Sequence, residues 1–162
     1  MNQEITEKII ILSGNQYDFL FIFFADYLKF LVPLVLLSMF LYSKKDRINS
    51  IIVFTVSMLT YGLNKVIEFV TIHTPRPFTV YNTILEKQAD SSFPSGHTAI
   101  LAGFSFSLYF LGYRKLGSIF IFLTVLQGFS RVYVGYHYVY DIIFSLILGM
   151  IISFIFINNL LK

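Results

Sequence analysis

The 162-residue sequence contains no cysteine, which excludes disulfide bonds, thiolate zinc sites and a cysteine nucleophile. Only three histidines are present and no cluster of carboxylates accompanies them, so we predict neither a metal nor another cofactor. Charged residues make up 13% of the chain and the net charge is +3, which argues against a nucleic-acid-binding surface. No linker, repeat or low-complexity segment separates the apolar blocks, and we predict a single domain over residues 1–162.

Hydrophobic residues are abundant: they make up 56% of the sequence, and the mean hydropathy is +0.73. They form runs suited to a hydrocarbon core about 30 Å thick. We predict an all-α integral membrane bundle with five transmembrane helices, at about residues 17–42, 51–72, 98–113, 117–130 and 140–161. Residues 4–12 are charged at first and apolar afterward but too short to span, which predicts a short N-terminal interfacial helix.

The basic residues of the loops indicate an orientation, because lysine and arginine near membrane helices are retained in the cytoplasm. They follow the first, third and fifth predicted spans, as Lys44, Lys45, Arg47, Arg114, Lys115 and Lys162. All of them then lie on one side of a multi-pass protein. Three polar segments, 74–78, 91–97 and 130–141, lie on the other side. We expect these segments to meet in a pocket on the periplasmic or outer face of the plasma membrane.

The second polar segment suits the binding of a phosphate group. Ser95 can cap the following helix, which leaves N–H groups around Gly96 and His97 free to bind an anion. In the third segment His137 and Asp141 are four residues apart, as on one face of a helix. The carboxylate could then hold one nitrogen of the imidazole and fix its tautomer.

These groups also suit the transfer of a phosphoryl group. His137 is a plausible nucleophile, and His97 can serve as the general acid that protonates a leaving oxygen. Arg76 and Arg131 can grip the oxygens of the transferring group. The substrate is expected to be an amphiphilic phosphorylated lipid in the bilayer, because the pocket would open at the membrane surface.

The residues Arg76-Pro77, Pro94-Ser95-Gly96-His97, Ser130-Arg131, His137 and Asp141 resemble the signature of the type 2 phosphatidic acid phosphatase (PAP2) superfamily. The resemblance implies a metal-independent membrane phosphatase that works through a phosphohistidine. It implies His137 as the nucleophile, Asp141 as its orienting group and His97 as the acid. It also implies phosphate ligands, namely Arg76, Ser95, Gly96 and Arg131.

One position departs from the family pattern, because Phe69 stands where the family usually has a lysine, seven residues before Arg76. The nearest lysine, Lys65, has two interpretations: an unusually placed phosphate ligand, or an ion-pair partner of Glu68. Bacterial members that act on undecaprenyl diphosphate resemble this chain in lacking the lysine and in keeping an asparagine near Asn64. Undecaprenyl diphosphate is therefore the first expected substrate.

Several alternatives remain open from the sequence. Lipid A 1-phosphate and phosphatidylglycerol phosphate are rival substrates, and the loop 79–92 is expected to select the headgroup. Lys87 in this loop is interpreted as a solvated lysine, with steering of an anionic headgroup as the alternative. A phospholipid-binding membrane protein without turnover is a functional alternative, and a vanadate-dependent haloperoxidase is another. Asp26 and Lys29 are interpreted as a mutually neutralising pair, with substrate binding as the alternative. Four tyrosines are predicted to anchor the chain at the membrane interface: Tyr133, Tyr136, Tyr138 and Tyr140.

Overall fold

The structure is a computed structural model that describes residues 2–85, 90–160 and 162. In this part of the chain seven α-helices are present: α1 (Asn2–Ile10), α2 (Asp18–Tyr27), α3 (Leu31–Tyr42), α4 (Lys44–Val70), α5 (Gly96–Phe110), α6 (Arg114–Tyr133) and α7 (Val139–Leu160). Two short 3-10 turns accompany them, Leu28–Phe30 between α2 and α3, and Pro77–Thr79 between α4 and α5. The prediction of an all-α membrane bundle is confirmed.

The first predicted span is a continuous helical segment with a 3-10 turn in its middle. Pro33 follows this turn, and proline has no N–H to donate to the carbonyl of Lys29 four residues earlier. The α-helical hydrogen bonding is therefore interrupted, and Leu28–Phe30 form a 3-10 turn before α3 continues to Tyr42. The turn matters for the site, because it carries Lys29.

Four helical segments of the described chain are long and apolar enough to cross a membrane. They are Asp18–Tyr42, α4, α6 and α7. The predicted third span corresponds to α5, which has only 15 residues and a length of about 22 Å. This helix packs against α4, α6 and α7, and most of its residues are buried. It is the central helix of the bundle.

Small residues allow α5 to approach its neighbours closely. A Cβ added to Gly103 would lie 2.7 Å from Thr60 Oγ1 on α4, and one added to Gly149 of α7 would lie 2.4 Å from Ala102 Cβ. Buried hydroxyls find partners there, since Ser153 Oγ donates to the carbonyl of Gly103 at 3.2 Å. Close helix contacts through small residues are typical of membrane bundles. This packing holds the beginning of α5 in place.

The junction of α3 with α4 contacts the junction of α5 with α6 at one end of the bundle. Tyr113, before α6, accepts a hydrogen bond from Asn49 Nδ2 at 2.8 Å and donates one to Asp46 of α4. The basic residues that follow α3 and α5 therefore lie at the same end, as the sequence analysis predicted. The helices run back and forth between the two ends, so the polar segments lie at the opposite end.

Helix α1 lies across the beginning of α7 and also contacts α6. Thr6 Oγ1 accepts a hydrogen bond from Val139 N at 3.3 Å, and Asn2 Oδ1 accepts one from Tyr140 N at 3.1 Å. Two of the first N–H groups of α7, which have no partner within their helix, are thereby satisfied. The predicted short N-terminal helix thus caps the helix that carries Asp141.

The interface-anchor prediction is wrong for three of the four tyrosines. Tyr133, Tyr136 and Tyr138 are buried, whereas Tyr140 is 55% exposed. The chain around α1 and α2 covers Tyr133, whose hydroxyl donates to Asp18 Oδ1 at 2.7 Å. The sequence pattern suggested a membrane interface because it could not show which segment packs over these rings.

Candidate active site

The three polar segments meet at one end of the bundle and are tied together by backbone hydrogen bonds. Ser92 N donates to the carbonyl of Thr74 at 2.8 Å, and Phe78 N donates to the carbonyl of Gly135 at 3.0 Å. Gly135 has φ +82°, a conformation that favours glycine, and a Cβ there would lie 2.3 Å from Thr83 Cγ2. The turn at Gly135 brings the chain after α6 back toward the other two segments.

The segments surround a cavity of about 750 Å³. Six of the predicted site residues line it: Lys65, Arg76, Gly96, His97, Arg131 and His137. Ser95 and Asp141 lie behind this surface and are buried. The structure therefore brings the three separate segments together as the sequence analysis expected.

His137 lies in the segment between α6 and α7, and each of its two ring nitrogens has a partner. Nδ1 is 2.7 Å from the carbonyl oxygen of Ser92, so Nδ1 carries the proton and donates it. Nε2 faces two cations, at 3.2 Å from Arg131 Nη2 and 3.5 Å from Arg76 Nη1. Because the guanidinium groups only donate, Nε2 presents its lone pair to them.

Burial lowers the pKa of His137 to about 4, and the charges of Arg131 and Arg76 act in the same direction. Asp141 opposes this shift. The ring is therefore neutral near pH 7. A neutral imidazole with a fixed tautomer and an available lone pair has the properties of a nucleophile.

Asp141 contacts His137 differently from the predicted arrangement. Helix α7 begins at Val139, so His137 precedes the helix and the two residues do not share one helix face. Asp141 Oδ2 lies 3.5 Å from His137 Nδ1, whereas it accepts hydrogen bonds from Ser92 Oγ at 2.5 Å and from Tyr138 N at 2.9 Å. Asp141 therefore holds Ser92, and the carbonyl of Ser92 is the direct partner of the imidazole.

The side chain of Ser95 does not cap α5, which corrects the prediction. Ser95 occupies the N-cap position, but its side chain makes no capping hydrogen bond. Its Oγ lies 3.0 Å from Thr98 Oγ1, which in turn donates to Gln127 Oε1 at 3.2 Å. Gly96 begins α5 and lines the cavity. A Cβ at this position would lie 3.2 Å from Tyr61 Cε2, so the absence of a side chain keeps the start of α5 accessible.

Arg131 is almost completely buried, with 3% of its surface exposed. Nη1 donates to the carbonyl of Ala25 at 3.1 Å and lies 3.7 Å from Asp26 Oδ1. Nε has no hydrogen-bond partner among the described residues. A buried guanidinium with donor capacity left is suited to an oxyanion ligand.

Arg76 is fixed by a residue that the sequence analysis did not identify. Its Nε lies 2.5 Å from Asp90 Oδ1, and its Nη1 donates to the carbonyl of Tyr136 at 2.9 Å. Partial burial would raise the pKa of Asp90, but the hydrogen bond and charge of Arg76 outweigh that effect and lower it. Asp90 carries no motif signal in the sequence, since it lies outside all three polar segments.

Lys29 contacts a histidine with which the sequence did not pair it. Its Nζ lies 2.7 Å from His97 Nε2, and both side chains line the cavity. The carboxylate of Asp26, the neutralising partner predicted for Lys29, lies 3.7 Å from Arg131 Nη1, and its pairing with Lys29 stays a prediction. A lysine inside a membrane span, four residues before Pro33, was the available signal that this side chain points inward.

Lys65 and Glu68 form an ion pair at 2.6 Å, the second of the two interpretations of this lysine. Both side chains line the cavity. Phe69, at the position of the missing lysine, is 89% exposed. Lys87 lies outside the described residues, as do its neighbours 86, 88 and 89. Within residues 2–85 and 90–160, no group of three or more acidic or histidine side chains could hold a metal ion.

The same cavity has an apolar side between the helices. Val32 and Leu36 of α3, Phe54 and Met58 of α4, and Ile100 of α5 line it. The polar end and the apolar side are continuous, so one molecule with a charged head and a hydrocarbon tail could occupy both. A histidine between two arginines at the end of such a cavity could bind a phosphate group, as the active site of a membrane-embedded phosphatase must.

Comparison with known proteins identifies the family. The PAP2 superfamily matches residues 49–162, and the chain belongs to this superfamily. It is 30% identical over 160 residues to undecaprenyl-diphosphatase BcrC from Bacillus subtilis, covering 96% of this chain and 82% of that protein. The chain is thus a phosphatase and a multi-pass membrane protein.

Two solved structures share the fold. LpxE from Aquifex aeolicus superposes with a TM-score of 0.81 at 22% identity, covering 97% of this chain and 94% of that one. A PAP2-type phosphatidylglycerolphosphate phosphatase from Bacillus subtilis has a TM-score of 0.79 at 24% identity, covering 99% of this chain and 86% of that one. At these identities the likeness shows the architecture of the bundle.

Proposed function

We propose that this phosphatase removes the terminal phosphate of an amphiphilic lipid diphosphate, with undecaprenyl diphosphate as the first candidate. The observation that carries the reaction is the position of His137 Nε2, which faces Arg131 and Arg76 at the polar end of a cavity with an apolar side. The similarity to BcrC over nearly the whole chain favours undecaprenyl diphosphate.

The reaction begins with attack of His137 Nε2 on the terminal phosphorus. An N–P bond forms, and the bond from phosphorus to the bridging oxygen breaks, so that the lipid monophosphate leaves. Arg76 and Arg131 bind the oxygens of the transferring group and stabilise its charge. His97 donates a proton to the bridging oxygen, which makes the lipid phosphate a better leaving group.

Water completes the cycle by attack on the phosphohistidine. The neutral His97 that remains after the first step accepts a proton from this water, the N–P bond breaks, and inorganic phosphate leaves. His137 returns to its neutral form with the proton on Nδ1. Through both steps the carbonyl of Ser92 holds Nδ1, and Asp141 holds Ser92.

The experiment that tests this proposal is phosphate release by the purified full-length protein with and without a chelator. The substrates are undecaprenyl diphosphate, lipid A 1-phosphate, phosphatidylglycerol phosphate and phosphatidic acid. We expect the highest rate with undecaprenyl diphosphate, no effect of the chelator, and no release by His137→Ala. A higher rate with lipid A 1-phosphate or phosphatidylglycerol phosphate would replace the proposed substrate.

We propose that the active site faces the periplasm or cell exterior across the plasma membrane. The basic residues lie at the opposite end of the bundle, where they would be retained in the cytoplasm. Because the chain has no cysteine, single cysteines can report the orientation. In intact cells a membrane-impermeant maleimide should label Val80→Cys at the site end and not Tyr42→Cys at the basic end. The reverse labelling would overturn the orientation.

A further inference from the structure

Lys29 lies beside the position that the leaving group occupies in the proposed reaction. In an in-line displacement the attacking atom and the leaving oxygen lie on opposite sides of phosphorus. The attacking atom is His137 Nε2, and the leaving oxygen faces the general acid, His97. Lys29 Nζ is 2.7 Å from His97 Nε2, so the ammonium group lies beside the leaving oxygen.

The charges that line the cavity favour a ligand with more than one anionic group. Among the described residues that line it, four carry a positive charge, Lys29, Lys65, Arg76 and Arg131, and two are carboxylates, Glu68 and Asp90. Arg76 and Arg131 lie beside the nucleophile, where they contact the phosphoryl group that is transferred. Lys29 lies on the side of the acid and comes from the first membrane segment, outside the three polar segments.

We propose that Lys29 binds the leaving phosphate of a lipid diphosphate and thereby makes the site prefer diphosphates to monophosphates. The inference rests on the proposed function and deepens it. In a lipid diphosphate the leaving group is itself a phosphate, and its unesterified oxygens gain negative charge as the bridging bond breaks. An ammonium group in contact with them stabilises that charge. In a lipid monophosphate the leaving group is an alkoxide, whose single oxygen takes the proton of His97 and leaves no further anionic oxygen for the ammonium to bind.

Lys65 provides a matched control. It is also a lysine that lines the cavity, but it forms an ion pair with Glu68 at 2.6 Å on the side of α4. Its side chain is 46% exposed, so its charge is screened by solvent as well as by the carboxylate. Loss of its charge should therefore affect both substrate types by the same factor.

The test uses the purified full-length protein with farnesyl diphosphate and farnesyl monophosphate, which share a tail and differ by one phosphate. The wild type should have the higher kcat/KM with the diphosphate. Lys29→Met should lower kcat/KM for the diphosphate about 10- to 100-fold, since it removes a hydrogen bond between charged groups. For the monophosphate the loss should be less than about threefold, and Lys65→Met should lower both values by the same factor, so that their ratio stays that of the wild type.

Equal losses on the two substrates, or no loss on the diphosphate, would show that Lys29 does not select for diphosphate. If Lys29→Met does not yield folded protein, Lys29→Gln replaces it, because the amide can still donate to His97 without a charge. A wild type that prefers the monophosphate overturns the inference without any variant, while the proposed phosphatase mechanism stands. A wild type that releases phosphate from neither substrate contradicts the proposed lipid diphosphatase function, and the inference with it.

Discussion

The two histidines of the site have the same side chain and opposite surroundings. His137 is 2% exposed, lies outside the helices, and is held by the carbonyl of Ser92 with Asp141 behind it. His97 is half-buried in the first turn of α5, and its Nε2 contacts the flexible side chain of Lys29. The proposed nucleophile is therefore fixed by a backbone carbonyl and a carboxylate, whereas the proposed acid has the cationic side chain of Lys29 as its partner.

This difference matches the roles proposed for the two rings. A nucleophile must present one lone pair in a fixed direction, and a rigid, buried environment achieves that. An acid must gain and lose a proton in every cycle, and a partly open environment allows exchange with solvent. Removal of the His137 ring should therefore lower kcat more than removal of the His97 ring.

The largest effect is expected for His137→Ala. Without the ring no N–P bond can form, and we expect kcat to fall by at least about 10⁴-fold. The measurement is phosphate release from undecaprenyl diphosphate, with thermal unfolding to show that the variant is folded. A trapped phosphohistidine should be found at position 137 of the wild type by mass spectrometry. Normal turnover by a folded His137→Ala protein would refute the mechanism.

A smaller loss is expected for His97→Ala, because general acid catalysis typically contributes about 10²- to 10⁴-fold. The loss should be smaller still with a substrate whose leaving group needs no proton, such as a 4-nitrophenyl phosphate. The measurement is kcat on both substrates for the wild type and the variant. If the loss were the same with both leaving groups, His97 would not be the proton donor.

Substitution of Asp141 or Ser92, the pair behind His137, should lower kcat by an intermediate factor. Asp141→Asn and Ser92→Ala are each expected to lower kcat about 10- to 100-fold, the range for residues that orient a catalytic group. Because Asp141 acts through Ser92, the double variant should lose little more than the stronger single variant. The measurement is a double-mutant cycle on kcat. Additive losses would mean that Asp141 holds the imidazole independently of Ser92.

The pH dependence of kcat/KM should report the protonation of His137. His137 attacks only when neutral, and its pKa is lowered to about 4, so kcat/KM should fall about tenfold for each pH unit below about 4. An acid limb near the ordinary histidine pKa of about 6.5 that persists in His97→Ala would contradict the buried, neutral state of His137.

The lowered pKa of His137 also affects the free energy of unfolding. Between about pH 6.5 and 4 the unfolded chain binds a proton at His137 that the folded chain does not. The free energy of unfolding should therefore decrease as the pH falls through this range and should not change from this source above it. Thermal unfolding of the wild type and of His137→Asn at pH 4 to 7 measures the difference. An equal pH dependence in both proteins would contradict the expectation.

The smallest effect is expected for Asp90→Asn. Asp90 holds Arg76 at 2.5 Å but is 60% exposed at its side chain, where solvent screens the ion pair. Exposed pairs of this kind contribute about 0.2 to 1 kcal/mol, so kcat/KM should fall less than about fivefold. Arg76→Ala, which removes a proposed phosphate ligand, provides the comparison and should lower kcat/KM much more. Equal losses in the two variants would mean that Arg76 cannot act without Asp90.

The chemistry of the site could be predicted from sequence to a large extent, because its motif residues lie in three short polar segments of an apolar chain. His97, His137, Arg76 and Arg131 all line one cavity, as the motif and the orientation of the basic loops suggested. Apolar runs and loop charges are properties of the chain itself, so the all-α membrane bundle also followed from them.

Contacts between distant residues required the tertiary structure. Helix periodicity suggested that Asp141 holds His137 directly, but α7 begins between them, and Ser92 from another segment supplies the contact. Asp90 reaches Arg76 from a position with no motif signal. The side chain of Ser95, which sequence rules assigned to a helix cap, turns instead to Thr98.

The sequence by itself determined the class of protein, the lipid environment and the chemical groups of the site, since these depend on residue types and on spacing along the chain. The tertiary structure decided which groups touch. It made α5 the buried centre of the bundle and brought Lys29 to His97 across 68 positions of sequence. The physical reason is that burial and hydrogen bonding depend on distances in space, and these are set only when all the helices pack together.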